Sequence, residues 1–153
     1  MKLRLLAIGR DRSGLYAPAV AEYAGRLSRY LRFELIELPE ARKLAGTPRA
    51  REEEGETILA RLGPREHLVA LDEHGEELSS AGLALRVKRW QERGTDVALV
   101  VGGSDGLASE VLSRAKEKLS LSRFTLAHQL ARLVLVEQLY RSMTILRGEP
   151  YHK

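Results

Sequence analysis

The chain has 153 residues, 44% hydrophobic and 30% charged, with 25 Lys and Arg against 21 Asp and Glu for a formal net charge of +4. That length supports one core burying roughly 70% of the unfolded chain's surface, and the composition excludes a disordered, collagen-like or repeat-built protein. The absence of cysteine excludes disulfides and thiolate metal sites, so no metal is expected and a cytoplasmic setting is.

The apolar run Leu3 to Ile8 predicts a buried strand closed by Gly9, and it is too short for a signal-peptide core or a membrane span. Val20, Tyr23, Ala24, Leu27 and Tyr30 recur at helical spacing, so a helix is expected over about 17–30. Phe33 to Leu38 reads as a second strand stopped by Pro39. A polar loop over 40–47 leads to a helix from about Arg49 to Leu62, which Gly63 and Pro64 end. His67 to Leu71 predicts a third strand ending at Asp72, and Ser79 or Ser80 caps a helix that runs to about Arg93.

Asp96 to Val101 is almost wholly aliphatic, the composition of a central strand covered on both faces. A helix is expected from about Ser109 to Lys118, then the short run Leu119 to Leu126, then a long helix from about Gln129 to Leu146. Strands alternating with helices imply one α/β domain with a mostly parallel sheet and helices on both faces. In the last helix Leu130, Ala131, Leu133, Val134, Leu135 and Val136 surround the axis, so a second apolar face needs cover, and a two-fold homodimer built on this helix is expected.

The turn GGSDGL sets Gly102, Gly103 and Gly106 at the carboxyl end of the central strand, the edge where open α/β sheets bind ligands. Its spacing is neither GxGxxG nor a Walker A loop, which disfavours dinucleotide and nucleoside triphosphate chemistry. Ser120, Ser122 and Thr125 precede His128, so backbone groups there are available to a small polar ligand. Arg132, Glu137 and Arg141 interrupt an otherwise apolar helix, which places them either in pairs across a dimer or in a site. The tail EPYHK offers Tyr151 for stacking on a base and the His152 imidazole for proton transfer. The positive charge fits a polyanionic partner and equally an arginine-biased composition.

With the glycine turn, the stretch LSRFTLAH, the segment VEQLYR and the terminal YHK in this order, the whole chain resembles the RlmH family of SPOUT-class methyltransferases. The resemblance implies a trefoil-knotted α/β fold, with the knot and a pocket for S-adenosyl-L-methionine in about 71–153. It also implies a homodimer that methylates N3 of a pseudouridine in large-subunit (23S) ribosomal RNA on the ribosome. By the same resemblance Leu71, Asp72, Gly102, Gly103 and the loop Ser122, Arg123, Phe124, Thr125, Leu126, Ala127 bind the cofactor, largely through backbone atoms. Arg141, Tyr151 and His152 then face the target base, with His152 as base and Arg141 as anion stabiliser. Ser104, Asp105 and Ala127 depart from the Pro or Glu of the family's glycine turn and the Pro before its helix histidine, changes that backbone-mediated binding tolerates. The rival reading is a non-catalytic ribosome or RNA-binding factor; a flavodoxin-like small-molecule binder rests on fold analogy alone.

Overall fold

Val97–Val101 is buried at all five positions and forms β4, the middle strand of a five-stranded sheet. Side chains alternate across a strand, so Leu99 and Val101 face one apolar core while Ala98 and Val100 face another, and both faces of the sheet need helices. The computed structural model describes residues 1–153. Its elements are β1 (Lys2–Ile8), α1 (Ala17–Leu27), β2 (Arg32–Leu38), α2 (Pro48–Ala60), β3 (His67–Glu77), α3 (Ser80–Arg93), β4 (Val97–Val101), α4 (Ser109–Arg114), β5 (Glu117–Ser120) and α5 (His128–Leu146). One short 3-10 turn, Arg42–Leu44, precedes α2.

The strand order is β2-β1-β4-β3-β5 and every pairing is parallel. All five carboxyl ends therefore open on one edge. Helices α1, α3 and α5 cover one face, where Trp90, Leu135, Val136, Leu139 and Met143 pack on Leu3, Leu5 and Leu99. On the other face Ile58 of α2 and Val111 of α4 pack on Leu6, Leu68 and Val100. Each large side chain buried this way stabilises the fold by about 1.5–3 kcal/mol relative to exposure. The expected single α/β domain with helices on both faces is what the chain forms.

Two boundaries differ from the sequence expectation. The helix expected through Lys118 ends at Arg114, because Ala115 turns extended and Lys116 N–H donates to the Leu68 carbonyl at 2.8 Å, starting β5. Glu117 is then drawn to the buried side by hydrogen bonds from the Trp90 indole at 2.9 Å, the His67 ring at 2.7 Å and the Arg86 guanidinium. The third strand, expected to stop at Asp72, continues to Glu77 across a bulge between Leu71 and Glu76. Gly75 permits that bulge: a Cβ there would stand 2.6 Å from the Leu119 backbone. In both cases pairing of β3 with the edge strand β5 overrides the local hydrophobic pattern. The first helix is also shorter than expected, ending at Leu27 with Ser28 as its cap.

Helix α5 packs between α1 and α3 through Leu135, Leu139 and Met143, while Leu130, Leu133 and Val134 stay half-exposed on its outer side. Arg132, expected in a dimer pair or a site, is committed within the chain. It is buried, donates to Glu37 at 2.9 Å and to the carbonyl of Gly9 at 2.8 Å, and so ties α5 to the ends of β1 and β2. No helix is long and apolar enough to cross a membrane.

Candidate functional site

At the carboxyl edge of the sheet the loops after β4 and β5 converge with the middle of β3 around a cavity of about 380 Å3. That volume lies in the ordinary range for small-molecule sites. Leu71 and Asp72 form one wall, Gly102 and Gly103 a second, and Ser122, Phe124, Thr125 and Leu126 a third. Eight of the residues expected to bind cofactor thus meet in one place. Arg123 and Ala127, expected with them, do not line it: Arg123 is exposed and pairs with Glu77 at 3.1 Å, and Ala127 is the N-cap residue of α5.

The glycine turn has a steric reason. A Cβ on Gly102 would stand 2.8 Å from the carbonyl carbon and oxygen of Gly106, and Gly106 itself has φ +76°. Gly103 and Gly106 bridge each other, with Gly106 N–H donating to the Gly103 carbonyl at 3.1 Å. The loop after β5 is pinned by its serines: Ser120 donates to the Ser122 carbonyl at 3.1 Å, and the Ser122 hydroxyl accepts from Phe124 N–H at 2.9 Å. Phe124 is left 83% exposed beside the cavity.

The amino end of α5 adds the third property. Ala127 supplies no side-chain cap, so the first N–H groups of the helix, in the turn that borders the cavity, are left to solvent or ligand. His128 and Ala131 reach the cavity wall from this first turn, and the side-chain oxygen of Gln129 is buried without a partner. Polar in part and lined by the glycine turn, the cavity has the size for a small polar molecule. Glu73, Asp105, Leu107 and His128 also line it and were not assigned from sequence. Their adjacency to the glycine turn, to Asp72 and to the helix start was the available signal.

Arg141, Tyr151 and His152 form a second cluster. Arg141 donates to Glu137 at 2.6 Å and to Nδ1 of His152 at 3.3 Å, and its guanidinium lies 4.7 Å from the Tyr151 ring centroid. Tyr151 donates to Glu137 at 2.9 Å and packs edge-on against Tyr140. Burial, with hydrogen bonds to Tyr23 and Glu137, raises the Tyr151 phenol well above its ordinary range, which makes it a donor and not a base. Glu137, which sequence singled out only as a charge on an apolar helix, is the hub.

Within one chain the two clusters are apart. His128 and Ala131 touch the cavity, whereas Arg141 lies roughly 20 Å further along α5 at 1.5 Å per residue, and the tail folds onto that far end through Tyr30, which donates to Glu149 at 2.5 Å. The tail expected beside the cofactor pocket is therefore not beside its own.

A family model described as "Predicted SPOUT methyltransferase" matches residues 1–152. A protein of Anaeromyxobacter dehalogenans named ribosomal RNA large subunit methyltransferase H is 74% identical over 153 residues, covering 100% of both chains. Among solved structures, the SpoU methyltransferase AviRb of Streptomyces viridochromogenes superposes with TM-score 0.51 at 14% identity, over 97% of this chain and 61% of its own. A Legionella pneumophila protein described as a methyltransferase and solved with the cofactor SAM bound gives TM-score 0.52 at 15% identity, over 91% of this chain and 65% of its own. These two share the fold; the full-length match at high identity shows the family. The chain belongs to the SPOUT methyltransferases and, among them, to the ribosomal RNA large subunit methyltransferase H family.

Proposed function

We propose that the protein is a methyltransferase that uses S-adenosyl-L-methionine to methylate N3 of a pseudouridine in 23S ribosomal RNA on the assembled ribosome. The observation that carries this reading is the cavity built by Leu71, Gly102, Gly103, Ser122, Phe124, Thr125 and Leu126 in a chain of this family. Bound there, the cofactor supplies an electrophilic methyl group. The chain's own work is to cradle it on backbone N–H and C=O groups and to hold the nucleophile in line, where proximity contributes most of the rate. The trefoil threading implied for about 71–153 belongs to the same reading, as does the cytoplasmic setting where ribosomes are methylated.

A homodimer completes the site. In a two-fold pair built on α5 through Leu130, Leu133 and Val134, antiparallel helices bring the far end of one α5 to the near end of the other. Arg141, Tyr151 and His152 of one subunit then stand over the cavity of its partner. Arg141 stabilises the anion formed when the base loses its N3 proton, and His152 accepts that proton. Tyr151, held as a donor on Glu137, fixes both in place.

The test is to incubate the protein and labelled cofactor with ribosomes, separated subunits and naked RNA, and to map the methylated nucleotide. A single N3-methylated pseudouridine in 23S RNA, formed on ribosomes, is the expected result. If calorimetry detects no cofactor binding, the methyltransferase reading fails and a non-catalytic ribosome-binding factor takes its place.

A further inference from the structure

The chain carries a net charge of +4, yet the charged side chains lining the cavity are acidic: Asp72, Glu73 and Asp105, with His128 the only other titratable group. The nearest arginines turn away. Arg123 is spent on Glu77, and Arg132 on Glu37 and the carbonyls of Ile8 and Gly9.

Behind the glycine turn stands a fourth carboxylate. Glu54 of α2 is 6% exposed; its Oε1 accepts from Ala41 N–H at 3.2 Å, and its Oε2 is buried without a partner. That oxygen would lie 3.5 Å from a Cβ on Gly103, so it sits directly under the turn. Burial first, against the Ala41 hydrogen bond and with the nearby charges of Asp105, Glu40 and Glu53 adding to it, pushes its carboxyl up, so Glu54 and Asp105 lie close enough to act on each other. Arg12 and Arg42 pair with Glu40 at 3.9 and 3.8 Å and offset its charge, which leaves Asp105 as the carboxylate facing Glu54 from the cavity side.

Methyl transfer changes one charge on the cofactor: the sulfonium cation becomes a neutral thioether, and the rest of the molecule is unchanged. The positive pole of α5 attracts the carboxylate that both forms keep and gives the cation no advantage. The acidic wall is what favours the cation. Resting on the cofactor reading above, we infer that Asp105, backed by Glu54 and aided by Asp72 and Glu73, makes this pocket select the sulfonium cofactor over its demethylated thioether product. The pocket thereby favours exchange of product for fresh cofactor. As an order of magnitude, any pair of unit charges about 7 Å apart at an effective dielectric of about 40 is worth about a sevenfold difference in affinity.

Calorimetric titration of the whole protein with S-adenosylmethionine and, separately, S-adenosylhomocysteine reads this directly. The wild-type protein is expected to bind the sulfonium about five- to tenfold more tightly, with the preference shrinking as salt rises. D105N should weaken the sulfonium about fivefold and leave the thioether within twofold, and E54Q should move the ratio the same way by less. Equal affinities in the wild-type protein, a ratio indifferent to salt, or a D105N variant that weakens both ligands equally would overturn the inference while leaving the methyltransferase reading intact. Binding of neither ligand would overturn both.

Discussion

Arg141 and Tyr151 converge on one oxygen: both donate to Oε1 of Glu137, at 2.6 and 2.9 Å, while the guanidinium covers the phenol ring. A single carboxylate on α5 thus fixes the direction of two side chains of the proposed base-facing cluster. The same hub raises the Arg141 guanidinium further, so the cation is permanent. E137Q should keep the fold and cofactor affinity, since Glu137 is remote from the cavity, and lower turnover on ribosomes by about tenfold or more. Y151F should lower it by less. Single-turnover rates beside calorimetric cofactor affinities check this, and a drop in cofactor binding by either variant would show that the cluster contacts the cofactor itself and does not act on the target base alone.

Arg132 supports the edge of the sheet on which the site is built. Its loss leaves the Ile8 and Gly9 carbonyls without their donor and opens a cavity beside β1. R132A is expected to destabilise the protein by about 3 kcal/mol, read as a lower urea midpoint at unchanged slope. Glu37 is the carboxylate paired with a guanidinium whose side chain is only 4% exposed, so E37Q keeps an acceptor but removes the counter-charge and should cost about 1–3 kcal/mol.

What the residues alone disclosed follows from which forces act locally. The central strand was legible because five consecutive aliphatic residues have only one stable environment, and the glycine turn because a Cβ at Gly102 has nowhere to go. Strand β5 was not legible: EKLS has no strand signature, and it becomes one through pairing with β3 and through Glu117 meeting Trp90, Arg86 and His67 from distant segments. Arg132 misled for a related reason, since its partners Ile8, Gly9 and Glu37 are more than ninety positions away. Of the residues the family resemblance grouped, Leu71, Asp72, Gly102, Gly103, Ser122, Phe124, Thr125 and Leu126 line one cavity and Arg123 and Ala127 do not, while Arg141 and the tail sit at the opposite end of α5, an arrangement set by contacts between distant segments.

Glu117 gives a pH prediction. Burial opposes its ionisation, but hydrogen bonds from Trp90, Arg86 and His67 outweigh that and hold its carboxyl below the ordinary range. The unfolded chain therefore binds the proton first as pH falls, so this contribution is fully present above the ordinary carboxyl value of about 4.3 and is lost as pH drops through the lower folded value. E117Q should be less stable than wild type by about 2 kcal/mol at neutral pH and should lose less stability on acidification. Urea midpoints measured from pH 7 to pH 3 decide it; parallel curves would refute the assignment.

Glycine substitutions separate the turn from ordinary helix positions. Gly102 faces the backbone of Gly106, so G102A must displace the turn, and cofactor affinity should fall by about tenfold or more. Gly25, inside α1 with nothing within 4 Å of its Cβ position, is the contrast: G25A should stabilise the protein by about 0.5–1 kcal/mol and leave cofactor affinity alone.

The shared site makes a prediction that no single-chain arrangement can imitate. If the cavity of one subunit works with the Arg141 and tail of its partner, a pocket-defective G102V chain and a tail-defective R141A chain fail separately but complement each other when co-expressed. Random pairing makes half of the dimers mixed, and each mixed dimer carries one site with both halves intact, so activity should return to about a quarter of wild type. A double variant carrying both changes, paired with wild type, leaves no intact site in the mixed dimer, because each site then lacks one half. The double variant should therefore depress activity below the wild-type share expected from dilution. Charge on the half-exposed side of α5, as in L133E, should abolish both the dimer and complementation, seen together by sedimentation and by turnover. If mixtures of the two single variants stay inactive while sedimentation shows mixed dimers, both halves of the site lie in one chain, and the roughly 20 Å between His128 and Arg141 must be closed by a movement of the tail.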